Sequence, residues 1–181
     1  MTETLLAGRE CQARLCQNLN DPPLGKTAWN RLLAASETRT VFLTWQWLSM
    51  WWECFGEGAT LFCFAIERDN ELVGVAPLMV RRERGARIVQ FLGTGSSDYC
   101  DIIAATDHKL DVVRAVLDAL FKRKDRWDRI ELHGVPAASS TAAALEAASL
   151  PPGWEQRQAM EALCPALSIE ANRTFAEVCA P

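Results

Sequence analysis

The sequence has little of what usually announces a function. It has only two histidines in 181 residues, His108 and His133, and they are isolated. No two of its seven cysteines have C-x-x-C spacing, so a zinc site has no framework. There is no G-x-S-x-G elbow to mark an esterase-type nucleophile. No basic excess is present either: the net charge is -4, which argues against a dedicated binder of nucleic acid or anionic membrane. No apolar run reaches the roughly 18–20 residues of a membrane span. The opening stretch MTETLLAGRECQARL has no basic segment followed by a long apolar one, so no secretory leader is expected. Scattered, unpaired cysteines suit reduced, mostly buried thiols in a cytoplasmic protein.

What is present is apolar and aromatic. Hydrophobic residues make up 49% of the chain, enough for a substantial core, and the length suits one domain. The organising stretch runs from Thr60 to Ile103. Leu61 to Ile66 and Leu72 to Val80 are apolar at nearly every position, which predicts strands buried on both faces. Asp69-Asn70 is the expected turn between them, and Arg81 to Arg87 the next. Gly93-Thr94-Gly95-Ser96-Ser97 ends a third strand, and Asp98-Tyr99-Cys100-Asp101 leads into a fourth.

Before this sheet, Glu10 to Leu19 reads as a strand or a short helix, broken by Asp21-Pro22-Pro23. Trp29, Leu32 and Leu33, with Ala28, mark a helix of about 11 residues by their helical spacing. Phe42 to Gly56 predicts a second helix with Thr44 as N-cap and Gly56 as its stop. Trp45, Leu48, Trp52 and Phe55 form one stripe, and Trp47, Trp51 and Cys54 a second beside it. The surplus tryptophans either line a ligand groove or partner surface or, more ordinarily, wedge the helix between the sheet and another element.

After the sheet, Asp107 or Thr106 can cap a helix reaching Lys124, with Leu110, Val113, Leu117, Leu120 and Phe121 buried. Trp127 to Val135 reads as a strand, Ser139 or Ser140 to Ser149 as an Ala-rich helix, and Trp154 to Met160 and Ala162 to Ile169 as short strands. Thr174-Phe175-Ala176-Glu177 has the form of a capping box, so a helix is expected to begin there and the chain to be the first part of something longer. The fold class is mixed α/β, in the α+β sense, with a sheet covered by helices.

Chemistry is sparse. Gly93 to Asp98 resembles a phosphate loop, but an aspartate stands where a third glycine belongs and a strand comes next, so a strand-ending turn is expected. Arg81, Arg82, Arg84 and Arg87 flank Gly85 in a cationic hairpin end that could hold phosphates or be merely solvated. Either histidine could serve as a general base, but nothing places a nucleophile beside it. The most suggestive polar group is Asp98 to Asp101, just past a strand end on a rigid scaffold. Strand alternation would point Asp98 and Cys100 one way and Tyr99 and Asp101 the other. A carboxylate beside a tyrosine can position an amine or hydroxyl, or act as a base.

Taken in order, FLTWQWLSMWWECFG, ELVGVAPLMVRRERG, FLGTGSSDYCDII and RWDRIELHGVP resemble the GNAT-superfamily acetyltransferase domains associated with bacterial cellulose biosynthesis, relatives of the Fem-like peptidoglycan aminoacyltransferases. The resemblance covers roughly residues 25–180. It implies a GNAT-like, largely antiparallel central sheet flanked by helices, often as two halves in tandem. It also implies an acetyl-CoA or other acyl-CoA donor (aminoacyl-tRNA in the Fem branch) and a small-molecule, saccharide or amine acceptor. The family's phosphate signature, Q/R-x-x-G-x-G/A at a strand–helix junction, should fall at Ala104 to Leu110, AATDHKL, which has no glycine. Arg82 to Arg87 matches only its first half. The expectation is therefore a single GNAT-like domain over 1–181, the N-terminal half of a two-half acyltransferase, supplying the acceptor side. Asp98, Tyr99 and Asp101 are the candidate catalytic residues, and Trp47 or Trp51 the candidate substrate-binding ones. The alternative is a non-catalytic docking or structural module for polysaccharide or cell-envelope machinery.

Overall fold

A computed structural model describes residues 10–164. The stretch Trp154 to Met160 is not a strand, and neither are residues 162–164. Residues 165–169 and the capping box at Thr174 to Glu177 lie outside the described residues.

Eight strands form two four-stranded sheets among the described residues. The first has the order β1-β3-β4-β7, built from Gln12–Leu15, Phe64–Arg68, Glu71–Ala76 and Ile103–Ala104. The second has the order β2-β5-β6-β8, built from Ala59–Leu61, Leu78–Glu83, Ala86–Phe91 and Arg129–Ile130. Every pairing is antiparallel except β6 with β8. The two long apolar runs are thus each split in two. Pro77 interrupts one because it has no N–H to give a ladder, and Phe62-Cys63 breaks the other opposite it. The hairpin nevertheless continues through the bend: Phe62 N–H donates to the Leu78 carbonyl at 2.9 Å, and Leu92 N–H to that of Pro77 at 2.8 Å. One bent hairpin therefore belongs to both sheets.

Burial on both faces comes from what packs there. Helix α1, Lys26–Ala34, lies against β4 and β7 with Trp29, Leu32 and Leu33 buried. Helix α3, Lys109–Phe121, lies against β1, β3, β4 and β7. Phe64, Ile66, Ala76 and Ala104 join the α3 side of the core, while Cys63, Ala65, Val75 and Ile103 join the α1 side. Alternate residues are thus claimed by opposite helices, and no polar face is left. Asp69-Asn70, with φ of 52° and 65°, and Arg84-Gly85, with 49° and 87°, make two-residue turns of the type that matches strand twist. The second turn is therefore shorter than Arg81 to Arg87; Arg81, Arg82 and Arg87 stand on strands.

Helix α2, Trp45–Phe55, begins as expected: the Thr44 hydroxyl accepts from Trp47 N–H at 3.3 Å. Its buried residues are Leu48 and Trp51, with Trp45, Trp47 and Trp52 flanking them; Phe55 is 55% exposed and does not share the stripe. Gly56 is needed for room, not for a left-handed cap: its φ is -77°, and a Cβ there would lie 2.5 Å from the Trp52 carbonyl oxygen. Helix α3 starts later than expected, after a 3-10 turn at Thr106–His108, and has no side-chain cap. It buries Val112, Val113, Val116, Leu117 and Leu120, while Leu110 is 38% exposed. Helix α4 is short, Thr141–Glu146.

Helix α3 seats tightly on the sheet at Gly74, where a Cβ would stand 2.5 and 2.7 Å from the two methyls of Val112. Neither the strand backbone nor the helix can yield cheaply, so Gly74→Ala should cost about 1–3 kcal/mol in chemical denaturation. A variant as stable as the parent would show that α3 does not seat this tightly.

Candidate functional site

Gly93 and Gly95, with φ of 90° and 86°, turn the chain out of β6. Ser96 and Ser97 N–H both donate to the Gly93 carbonyl, at 3.0 and 2.9 Å. A Cβ on Gly93 would meet the Ser97 hydroxyl at 2.5 Å. The glycines close a turn on itself and do not aim its amides outward as a phosphate loop does. The chain then threads between the end of β6 and the segment after β8: Cys100 N–H donates to the Gly134 carbonyl at 2.9 Å. Residues 98–102 are irregular, so strand alternation does not apply to them. Asp98 is exposed and Tyr99 half-buried, while Cys100 and Asp101 are both buried. Burial, with the charges of Asp101 and Glu161, pushes the Cys100 thiol up to about 12, so it stays protonated.

Asp101 is wholly enclosed. One carboxylate oxygen accepts from the Ile102 N–H at 2.8 Å and from the Thr141 hydroxyl. The other accepts from the hydroxyls of Thr38 at 2.8 Å and Ser139 at 2.7 Å, and from the Lys109 ammonium at 3.3 Å. Lys109, only 4% exposed, spends its other protons on the Ile102 carbonyl at 2.6 Å and the Thr141 hydroxyl at 3.0 Å. Lysine is rarely this buried unless paired. The network joins the segment after α1, the loop, and the starts of α3 and α4.

On the outer side of the same loop the Trp47 indole N–H donates to the Ser97 hydroxyl at 2.9 Å. The Phe42 ring stands edge-on to Trp47 at 5.2 Å and tilted against Tyr99 at 6.4 Å, so Phe42 links the two. Trp51 is behind this wall, 5% exposed, and its indole N–H finds no acceptor among the described residues. Tyr99 is hydrogen-bonded to Cys164, which raises its hydroxyl above the usual range together with Cys164's charge, burial and nearby Asp98. Close by, His133 Nδ1 meets a carboxylate oxygen of Glu161, whose other oxygen accepts the Gly134 N–H at 2.9 Å. Glu131 lies 3.8 Å from His133 Nε2. Sequence reasoning left His133 without a partner and passed over Glu161 and Cys164, which come from an irregular stretch with no periodic signal. The other histidine, His108, lies beside Arg68 at 3.4 Å, on the turn that precedes α3. Among the described residues no group of three or more histidine, cysteine or carboxylate side chains is arranged to hold a metal.

The junction that should cradle the pyrophosphate of an acyl-CoA does not fit one. Ala105 N–H is used by the Val73 carbonyl at 3.1 Å, and His108 N–H by that of Ala105 at 2.8 Å. Asp107 and Asp111 place negative charge on the first turns, where a phosphate would be repelled. The partial match at Arg82 to Arg87 is a strand–turn–strand, with no helix to meet an anion.

No protein-family model matches the chain, and no curated protein sequence matches it. Among solved structures, the ribosomal-protein-alanine N-acetyltransferase from Brucella melitensis biovar Abortus 2308 superposes with a TM-score of 0.50 at 18% identity, covering 84% of this chain and 100% of that one. A point mutant of TTHA1254 from Thermus thermophilus overlaps over 83% and 99% at 17% identity, with a TM-score of 0.43, too low to bear on the argument. The chain has a GNAT-like fold. At this identity the likeness concerns the fold alone.

Two outcomes are expected from the geometry. Lys109→Met leaves the Asp101 charge buried without its counter-ion, so unfolding by urea at neutral pH should show a loss of about 3–5 kcal/mol; a loss below about 1 kcal/mol would mean the hydroxyls alone hold the carboxylate. The Glu161 contact raises the pKa of His133 above its ordinary 6.5 and lowers that of Glu161 below 4.5. The His133 share of stability is complete below pH 6.5 and fades as pH rises through its raised pKa; the Glu161 share is complete above pH 4.5 and fades below. NMR titration should find Glu161→Gln moving His133 back toward 6.5, and an unmoved pKa would remove Glu161 as the cause.

Proposed function

We propose that this chain is a GNAT-type acyltransferase domain that supplies the acceptor side of a transfer to an amine or hydroxyl. The observation that carries this reading is the wall formed by Trp47, Ser97, Asp98 and Tyr99, standing beside the His133–Glu161 pair on a GNAT-like fold. Asp98 and Tyr99 are placed to orient an acceptor by hydrogen bonding. His133 Nε2 can take the proton that an amine or hydroxyl loses, with Glu161 fixing the ring through Nδ1. Asp101 and Trp51, both enclosed, position this wall and do not touch the acceptor. The saccharide or amine character of the acceptor comes from the family resemblance, and six free cysteines among the described residues suit a reducing cytoplasm. Since the 104–110 junction does not fit a pyrophosphate, the acyl-CoA of this reading is presented by another surface, such as a second GNAT-like half in cis.

That misfit also favours a second reading, in which the chain is a non-catalytic docking or structural module of polysaccharide or cell-envelope machinery. Alanine at Asp98 and at Tyr99, assayed in the full-length protein with acetyl-CoA and a panel of amine and sugar acceptors, separates the two. An orienting role predicts that kcat/KM falls by roughly ten- to a hundred-fold in each variant, with unfolding curves unchanged. Unaltered kcat/KM in both would end the acceptor-side assignment, and an absence of any transfer by the parent protein would favour the module.

A further inference from the structure

We propose that the arginine-lined cavity at the opposite end of β6 binds a small organic anion, with a carboxylate or phosphate-monoester head and an apolar body. The cavity holds about 360 Å3 and lies where the bent hairpin carries the second sheet past the cover of α3. Its apolar surface comes from Phe62, which is buried at the bend, and from Val80. Thr60 adds a hydroxyl, Gly58 an open rim, and Arg82, Arg87, Asp125 and Arg126 the charged walls. These residues come from three places in the chain: the hairpin's first strand, the β5–β6 ladder, and the 3-10 turn Lys124–Arg126.

The charges within it are uneven. Arg82 and Arg87 stand directly opposite on β5 and β6, an arrangement that costs stability when both are free. Arg87 is not free: Asp128 accepts from its Nη2 at 2.8 Å and its Nε at 3.3 Å. Arg82 and Arg126 have no hydrogen-bond or ion-pair partner among the described residues. Setting Arg87 against Asp128, the walls keep two uncompensated guanidinium groups and one carboxylate, Asp125. A single anionic head between Arg82 and Arg126 balances them, and guanidinium groups suit planar or tetrahedral oxyanions. Asp125 opposes highly charged ligands such as polyphosphates, and the apolar floor gives a flat or branched body a place that water fills poorly. This site does not depend on the acyltransferase reading, because its test involves no transfer.

Calorimetric titration of the protein at low salt with phenyl phosphate, benzoate and inorganic phosphate is the test. Saturable binding of phenyl phosphate or benzoate, tighter than inorganic phosphate, is expected, and whichever of the two binds tighter identifies the head group. Arg82→Ala and Arg126→Ala should each weaken it roughly ten-fold. Arg84→Ala, which removes the same charge from the neighbouring turn outside the cavity, should leave it unchanged. All three arginines are exposed, so these variants keep the fold. No saturable binding of either organic anion overturns the proposal. So does equal weakening by Arg84→Ala, which would mean general charge attraction, or inorganic phosphate binding as tightly as the organic ligands, which would remove any role for the floor.

Discussion

The constraint on which the loop after β6 depends is the buried pairing of Asp101 with Lys109. Removing two charges from water is expensive, and attraction between them offsets that only when their remaining hydrogen-bonding capacity is also met. Here it is met in full. Three hydroxyls and an amide complete the carboxylate, and a carbonyl and a hydroxyl complete the ammonium. Such a network tolerates little displacement, because moving any one donor leaves a buried charge short. It therefore fixes the relative positions of four segments that share no sheet ladder: residue 38, the loop at 101, the first turn of α3, and the start of α4. Exposed Asp98 and half-buried Tyr99 inherit that rigidity from a residue two or three positions away.

The bent hairpin sets the rest of the layout. Because Pro77 cannot donate to the ladder, the strands turn there while pairing continues on either side. One sheet is enclosed between α1 and α3, and the other emerges with part of a face uncovered. β6 runs the length of that second sheet, from the arginine hairpin to the glycine turn. Both surface features with chemical potential thus lie at the two ends of a single strand, held by the same ladder but of different character: charged and concave at one end, aromatic and carboxylate-bearing at the other.

Much of the core was legible in the sequence, because continuous apolar runs and helical spacing report burial directly. Cys63 to Ile66 alternate between two helices as a doubly covered strand should, and Asp69-Asn70 turns where expected. Less legible was anything set by contacts distant in sequence. Lys109 reads as a solvated residue at a helix start, yet Asp101 and Thr141, eight and 32 positions away, bury it. Asp101 reads as one of a strand's outward residues only if the strand exists; with no ladder at 98–102 the alternation had nothing to act on. His133 looked solitary because its partner, Glu161, is 28 residues on, in a stretch with neither helical nor strand period. The tryptophan helix was misjudged by one position, since the stripe that buries passes through Leu48 and Trp51 and leaves Phe55 in water.

The division of labour inside Asp98 to Asp101 has a topological cause. β8 pairs with β6 at Arg129 and Ile130, and Glu131 N–H still reaches the Val89 carbonyl. Beyond that point the chain leaves β6, and the Gly134 carbonyl accepts from Cys100 instead. The loop has entered the gap between two diverging parallel strands. Cys100, lodged in that gap, acts as a pivot: residues after it are drawn into the core toward Lys109, and residues before it are turned out toward Trp47 and His133. A carboxylate after the pivot organises the fold, whereas a carboxylate before it faces solvent and a neighbouring imidazole. Two aspartates three residues apart, equivalent by composition and local pattern, are therefore assigned opposite roles by where the strands separate.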